Sequence, residues 1–215
     1  PMNNVILGTV GEVNPGAEVK IADDGEILIR GGMVFAGYYK AADLTAQTVV
    51  DGWLHTGDVG VMRSNQVRII DRKKDVIITS GGKNLSPSEI ENAVKASPFI
   101  KECIVIGDGR KYVTSLIQID YENTGKWAEQ QGLAFTTFRS LAENPAVVKL
   151  IDDEVRQANE GLAPVEQIKK FTLLTKELDH DDGEVTATMK VRRASITTKF
   201  AAEIEALYRE RETAA

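Results

Sequence analysis

One cysteine, two histidines and no long apolar run place several classes of protein out of reach. Cys103 alone cannot build an intrachain disulfide framework, which points to a reducing compartment, and a cytoplasmic location is expected. It lies in the apolar run ECIVIGD, where a buried structural thiol is the expected role. His55 has no second ligand near it, and His180 sits in an acidic turn expected to face solvent, so no metal site is expected at either. No stretch approaches the ~18 consecutive apolar residues of a membrane-spanning helix. Neither a transmembrane segment nor a signal peptide is therefore expected, which leaves peripheral membrane association open. An excess of basic charge is missing too. The 26 Lys and Arg against 32 Asp and Glu give a formal net charge of −6, which argues against a general nucleic-acid binder. A local positive patch for a small anion is still allowed.

What is present is a globular composition, 42% hydrophobic over 215 residues, enough to core one large domain or two small ones. The opening PMNNV leads into no helix or strand, so the chain reads as a piece of a longer protein. Residues 1–71 are glycine-rich with short β-like runs: NVILGTV, GEILIRG and GVMRSNQVRII. The last run predicts a hairpin turning at Ser64-Asn65. This end has few long apolar segments, and it is expected to be the β-rich tail, barrel-like in part, of a large N-terminal domain. At DRKKD, residues 71–75, five charged residues cannot be buried together and predict an exposed connection, with 72–75 as a hinge.

Residues 76–215 read as a small C-terminal α+β domain, with a β-hairpin and a central sheet flanked by helices. The strand VIIT and the loop SGGKNL lead into a capping box, with Ser86 as N-cap, Pro87 at the first helical position and Glu89 reaching back. Ile90, Ala93 and Val94 then share one helical face. KECIVIGD and YVTSLIQID predict paired strands joined at GDGRK. Helices are expected at about 122–131 and 145–160, the second with Val148, Ile151 and Val155 on one face. IKKFTLLT is a further strand candidate. A last helix, about 193–210, carries the stripe Ile196, Phe200, Ile204 and Leu207.

Four stretches carry candidate chemistry. GEILIRGGMVFAGYYK (25–40) gives a strand, a glycine turn and an aromatic pair, which on composition alone is a turn with packing tyrosines. DGWLHTGD (51–58) ends in a carboxylate that either caps a turn or accepts two hydroxyl hydrogen bonds from a ribose diol. DRKKDVIITSGGKNLSPSEIE (71–91) joins the charged connector to a diglycine loop that admits a narrow ligand. TATMKVRR (186–193) ends in Lys190, Arg192 and Arg193. It fits a solvated helix start, a small anion-binding patch or one working lysine.

In this order and spacing, the four stretches resemble the C-terminal portion of the AMP-forming adenylating enzymes, which include acyl-CoA synthetases, adenylation domains and beetle luciferases. The likeness covers essentially the whole chain. It is strongest to the long-chain fatty acyl-CoA synthetases, through DRKKD, TMKVRR and the helical stretch at 121–165. The resemblance implies a two-step reaction. A fatty acid and Mg-ATP give an acyl-adenylate and pyrophosphate, then coenzyme A takes the acyl group and AMP leaves. It implies that Asp58 and Arg72 hold the ribose of ATP or AMP, that Lys74 is the hinge residue, and that Lys190 is catalytic in the first step. Gly81, Gly82 and Lys83 would line the coenzyme A tunnel in the second. Arg192 and Arg193 are expected on the helix surface. The family's phosphate loop, magnesium ligands and acyl pocket have no counterpart in this sequence, so the fragment alone is expected to be inactive. Two other functions compete: an adenylating enzyme that passes its acyl group to a carrier protein or other acceptor, and a non-catalytic interaction module.

Overall fold

Ser64 and Asn65, with φ of +48° and +64°, turn the chain between its two longest neighbouring strands, β4 (Trp53–Arg63) and β5 (Gln66–Arg72). Two left-handed residues in a two-residue turn match the right-handed twist of a hairpin, and this is the turn expected from the sequence. The structure is a computed structural model that describes residues 6–209. It divides into two units, the first ending at Val76 and the second beginning at Ile77.

In the first unit an antiparallel sheet runs in the order β1 (Ala17–Ile21), β2 (Glu26–Gly31), β4 and β3 (Val49–Val50), with β5 paired to the far half of β4. A short helix, α1 (Ala42–Thr48), precedes β3 and was not anticipated. The strand expected at NVILGTV is absent from its described part, residues 6–10. There Thr9 Oγ1 donates to Ile6 O at 2.9 Å and closes a turn, a case of a side chain competing with the ladder. Residues 4 and 5 lie outside the described chain. The charged connector also departs from expectation, because β5 continues through Arg72 and Asp71 is buried. Only part of DRKKD is an exposed connection.

The second unit is built on a three-stranded sheet in the order β10 (Ile168–Leu173), β9 (Val113–Ile119), β8 (Ile100–Ile106). β8 and β9 are antiparallel, as expected from their linking turn, while β10 joins β9 in parallel. The period of two sends alternate residues to opposite faces. Cys103, Val105, Ile117 and Ile119 pack on one face with Ile90 and Val94 of α2 (Pro87–Val94) and Ile151 and Val155 of α5 (Pro145–Glu160). Ile104 and Leu116 pack on the other with Ile196 of α6 (Arg193–Lys199) and Ile204 and Leu207 of α7 (Ala201–Tyr208). Burial pushes the Cys103 thiol pKa up, as befits a structural cysteine.

Several boundaries differ from the sequence reading. The strand at VIIT shrinks to β6 (Ile77–Ile78), paired with β7 (Asn84–Leu85). On α5, Val147 is buried and Val148 is 39% exposed, because the fourfold spacing of Val147, Ile151 and Val155 sets the apolar face. α3 (Tyr121–Gln130) begins one residue early, since Asp120 Oδ1 caps Asn123 N–H at 2.9 Å. α4 (Phe138–Ala142) was missed, although Thr137 and Ser140 cap each other at its start. The expected last helix is two helices, broken where Phe200 leaves helical geometry at φ −103° and ψ 28°. Its expected end at residue 210 lies outside the described chain. Among the described residues no helix is long and apolar enough to cross a membrane.

Candidate functional site

Asp58 and Arg72 face each other across the β4–β5 ladder, and Arg72 Nε lies 3.0 Å from Asp58 Oδ1. Sequence reasoning assigned both to one ribose; the hairpin makes them neighbours within the first unit. Asp58 owes its aim to an irregularity. β2 and β4 pair at Glu26↔Val59 and at Leu28↔His55, so Thr56-Gly57-Asp58 faces the single residue Ile27. Such a bulge re-aims side chains. Thr56 Oγ1 donates to Ile27 O at 2.7 Å and accepts from Asp58 N–H at 3.1 Å. Gly57 takes φ +70°, a conformation that side chains resist. A carboxylate offers about four acceptor positions, so with Arg72 on Oδ1 it can still receive the two hydroxyls of a ribose. A cavity of about 270 Å³, walled by Val19, Ile27, Ile29, Val67 and Ile69, opens beside Asp58. His55, the weak metal candidate, lies 3.1 Å from the Glu26 carboxylate. Lys74 is exposed, two residues beyond the end of β5.

The remaining predicted residues belong to the second unit. Gly81, Gly82 and Lys83 lie in the exposed turn between β6 and β7. Thr79 organises that turn: its carbonyl accepts Gly82 N–H at 2.8 Å, its Oγ1 accepts Lys83 N–H at 3.1 Å, and its own N–H donates to Lys83 O. Gly82 requires glycine, at φ +71°, and nothing stands within 4 Å of where its Cβ would be. Gly81 has no such backbone requirement, and Thr79 Oγ1, 3.9 Å away, is the nearest atom to its would-be Cβ. The space around the pair is open, as close approach by a ligand needs. Beneath it, Ser86 Oγ accepts Glu89 N–H at 3.2 Å with Pro87 at the first helical position, so the N-cap and the proline of α2 stand where they were expected.

Lys190 is exposed on a tight hairpin. Val185 and Val191 form its stem, Thr186 N–H donates to Lys190 O at 2.8 Å, and Lys190 N–H donates to Thr186 Oγ1 at 3.1 Å. The stretch is thus a bonded turn, with Met189 in the left-handed region at φ +60°. Two buried carboxylates hold its stem. Glu184, fully buried, accepts Asp179 N–H and pairs with Lys176 at 2.9 Å and with Lys199 at 2.6 Å. Burial works to raise its pKa, but the hydrogen bonds from Lys199 and Lys176 outweigh it and hold the carboxyl below its ordinary value. On the other side Arg193 donates to Glu91 Oε1 at 2.7 Å and to Val105 O at 2.9 Å. Arg193 therefore turns inward, against the expected surface position, while Arg192 stays exposed. The Glu91 pKa is raised by burial, with the Arg193 charge opposing.

Glu184 makes the stability of the fold depend on pH. A depressed carboxyl pKa stabilises the fold above the unfolded value of about 4.5, and that contribution is lost as pH falls through the folded value. Denaturant unfolding as a function of pH should show stability declining below about 4.5, with a smaller decline in Glu184→Gln.

Glu26, Glu91 and Glu184 were all missed. Each has other acidic residues close by in sequence, Asp23 and Asp24 before Glu26, Glu89 before Glu91, and Asp181 and Asp182 before Glu184, and only its long-range partners mark it out from them. The available signal for Glu91 was its place on the inner side of α2, one residue after the core residue Ile90.

Residues 74–212 match the family described as AMP-binding enzyme C-terminal domain. The long-chain-fatty-acid–CoA ligase FadD15 of Mycobacterium tuberculosis is 40% identical over 96% of this chain and 35% of its own length. The human long-chain-fatty-acid–CoA ligase 1 is 34% identical over 97% of this chain and 30% of its own. The chain thus spans about a third of the length of these curated relatives. Among solved structures, the A domain of the carboxylic acid reductase from Segniliparus rugosus, in complex with AMP and a co-purified carboxylic acid, superposes with a TM-score of 0.70 at 25% identity. That match covers 86% of this chain and 28% of the other. The adenylation domain of a carboxylate reductase from Mycobacterium chelonae shares the fold, with a TM-score of 0.73 at 23% identity over 94% and 32% of the two chains. This chain belongs to the AMP-binding enzyme C-terminal domain family, within the AMP-forming adenylating superfamily.

Proposed function

We propose that this chain is the C-terminal part of a long-chain fatty acid–CoA ligase, working in the cytoplasm on a fatty acid, ATP and coenzyme A. The observation that carries the reading is the Asp58–Arg72 pair, a carboxylate and a guanidinium brought together at a bulge, in a chain similar throughout to such ligases. Asp58 accepts the ribose hydroxyls and Arg72 steadies both partners. Lys190, carried on its hairpin, meets the carboxylate and α-phosphate in the first step and stabilises the charge that develops there. The Gly81–Lys83 turn lines the path of the coenzyme A thiol in the second step. The second unit rotates about Lys74 between the steps. The magnesium ion that accompanies ATP, the phosphate loop and the acyl pocket belong to the upstream part of the full-length protein.

The test is AMP release by full-length protein with a long-chain fatty acid, offered either coenzyme A or a holo carrier protein. Release that depends on coenzyme A is expected; release only with the carrier protein would replace the thiol acceptor. Proline fixes φ, so Lys74→Pro should leave pyrophosphate exchange largely intact while thioester formation drops about tenfold or more. Equal loss of both half-reactions would remove Lys74 from the role.

A further inference from the structure

Glu26 is 5% exposed at the start of β2, in a position where a carboxylate is costly unless it is paired and hydrogen-bonded. Groups from two other segments satisfy it. Gly57 N–H donates to Oε1 at 2.8 Å, while His55 Nδ1 and Lys73 Nζ lie 3.1 and 3.0 Å from Oε2. The Lys73 ammonium continues to Asp24 Oδ2 at 2.6 Å, and Lys73 N–H donates to Gly57 O at 2.8 Å. Burial works to raise the Glu26 pKa, and the bonds from Lys73, His55 and Gly57 outweigh it.

The placement of these bonds matters more than their number. The bulge takes Gly57 N–H out of the β2–β4 ladder, and the Glu26 carboxylate supplies the acceptor that the ladder does not. The next residue is Asp58. The same carboxylate also reaches the connector, 47 residues on in sequence, through a lysine whose side chain is 44% exposed. One buried group therefore joins the bulge that aims Asp58 to the last residue before Lys74.

We propose that Glu26 is a positioning residue for the ligase reaction: it holds the Thr56–Asp58 bulge in the shape that presents Asp58, and through Lys73 it tethers the connector so that rotation begins at Lys74. The inference rests on the roles given above to Asp58 and Lys74.

Full-length protein carrying Glu26→Gln tests it. The amide keeps the size, but it replaces the charged acceptor of Gly57 N–H with a weaker neutral one and loses the charge that holds Lys73. Asp58 contacts the ribose equally in ground and transition states, so KM for ATP should rise about tenfold with kcat changed less than twofold. Trypsin should also cleave after Arg72 and Lys74 several-fold faster than in wild type. An unchanged KM together with unchanged cleavage would overturn the proposal, as would equal falls in kcat and kcat/KM. Should Glu26→Gln fail to fold, Lys73→Met removes only the exposed end of the tether. It should speed cleavage after Arg72 and Lys74, and no change in that rate would overturn the tether. Cleavage and hydrogen exchange in residues 53–63 read the clamp without turnover. An enzyme that lacks ligase activity but shows both responses would sink the function and keep the clamp.

Discussion

Lys190→Ala in the full-length protein lowers fatty-acid-dependent pyrophosphate exchange by about 10²–10³-fold, the loss expected when one preorganised charge is removed from a developing oxyanion. KM for ATP should move far less than kcat, as the role proposed for Lys190, stabilising charge that develops in the transition state, requires. Thioester formation from preformed acyl-adenylate should survive, since the proposed function gives that step to the Gly81–Lys83 turn rather than to the Lys190 hairpin. Full retention of pyrophosphate exchange would favour a non-catalytic module. The hairpin geometry sharpens the expectation. The backbone of Lys190 is bonded to Thr186 on both sides, so removing the side chain subtracts a charge and leaves the loop in place.

Arg193→Met has a large expected effect of another kind. Glu91 is 8% exposed and accepts Val105 N–H at 2.8 Å, so without Arg193 it becomes a buried carboxylate that has lost its ion-pair partner and keeps only the weaker field of Lys95. Breaking such a pair costs about 3–5 kcal/mol. The lower end applies here, because Arg193 itself keeps 28% side-chain exposure and the raised Glu91 pKa lets the group protonate instead. A loss of about 3 kcal/mol is therefore expected in denaturant unfolding of the second-unit transition. Adding Glu91→Leu should restore part of it, since a pair of apolar side chains no longer buries a charge. A cost below about 0.5 kcal/mol for Arg193→Met would mean that the pair is effectively a surface pair.

Local chemistry was legible in the sequence, and long-range pairing was not. The Ser64-Asn65 turn and the Ser86 cap were found because each depends on two to four adjacent residues. The break at Phe200 was invisible, because Ile196, Ile204 and Leu207 keep helical spacing straight through it. DRKKD looked uniformly exposed because charge density says nothing about Asp71 entering the sheet or Lys73 reaching Glu26. For the site, the motifs named Asp58, Arg72 and Lys190. The inward turn of Arg193 could not be read from its neighbours, since its partner lies 102 residues away.

That distance has a consequence for recombination between relatives. A crossover at the Lys74–Val76 turn passes Glu91 and Arg193 to the chimera from one parent. Any crossover inside the interval they span joins one parent's carboxylate to whatever the other carries at residue 193. Exchange of the TATMKVRR stretch alone, residues 186–193, is such an event, because it carries residue 193 with it. The transferable module is therefore the whole second unit, even when the feature wanted is a single lysine.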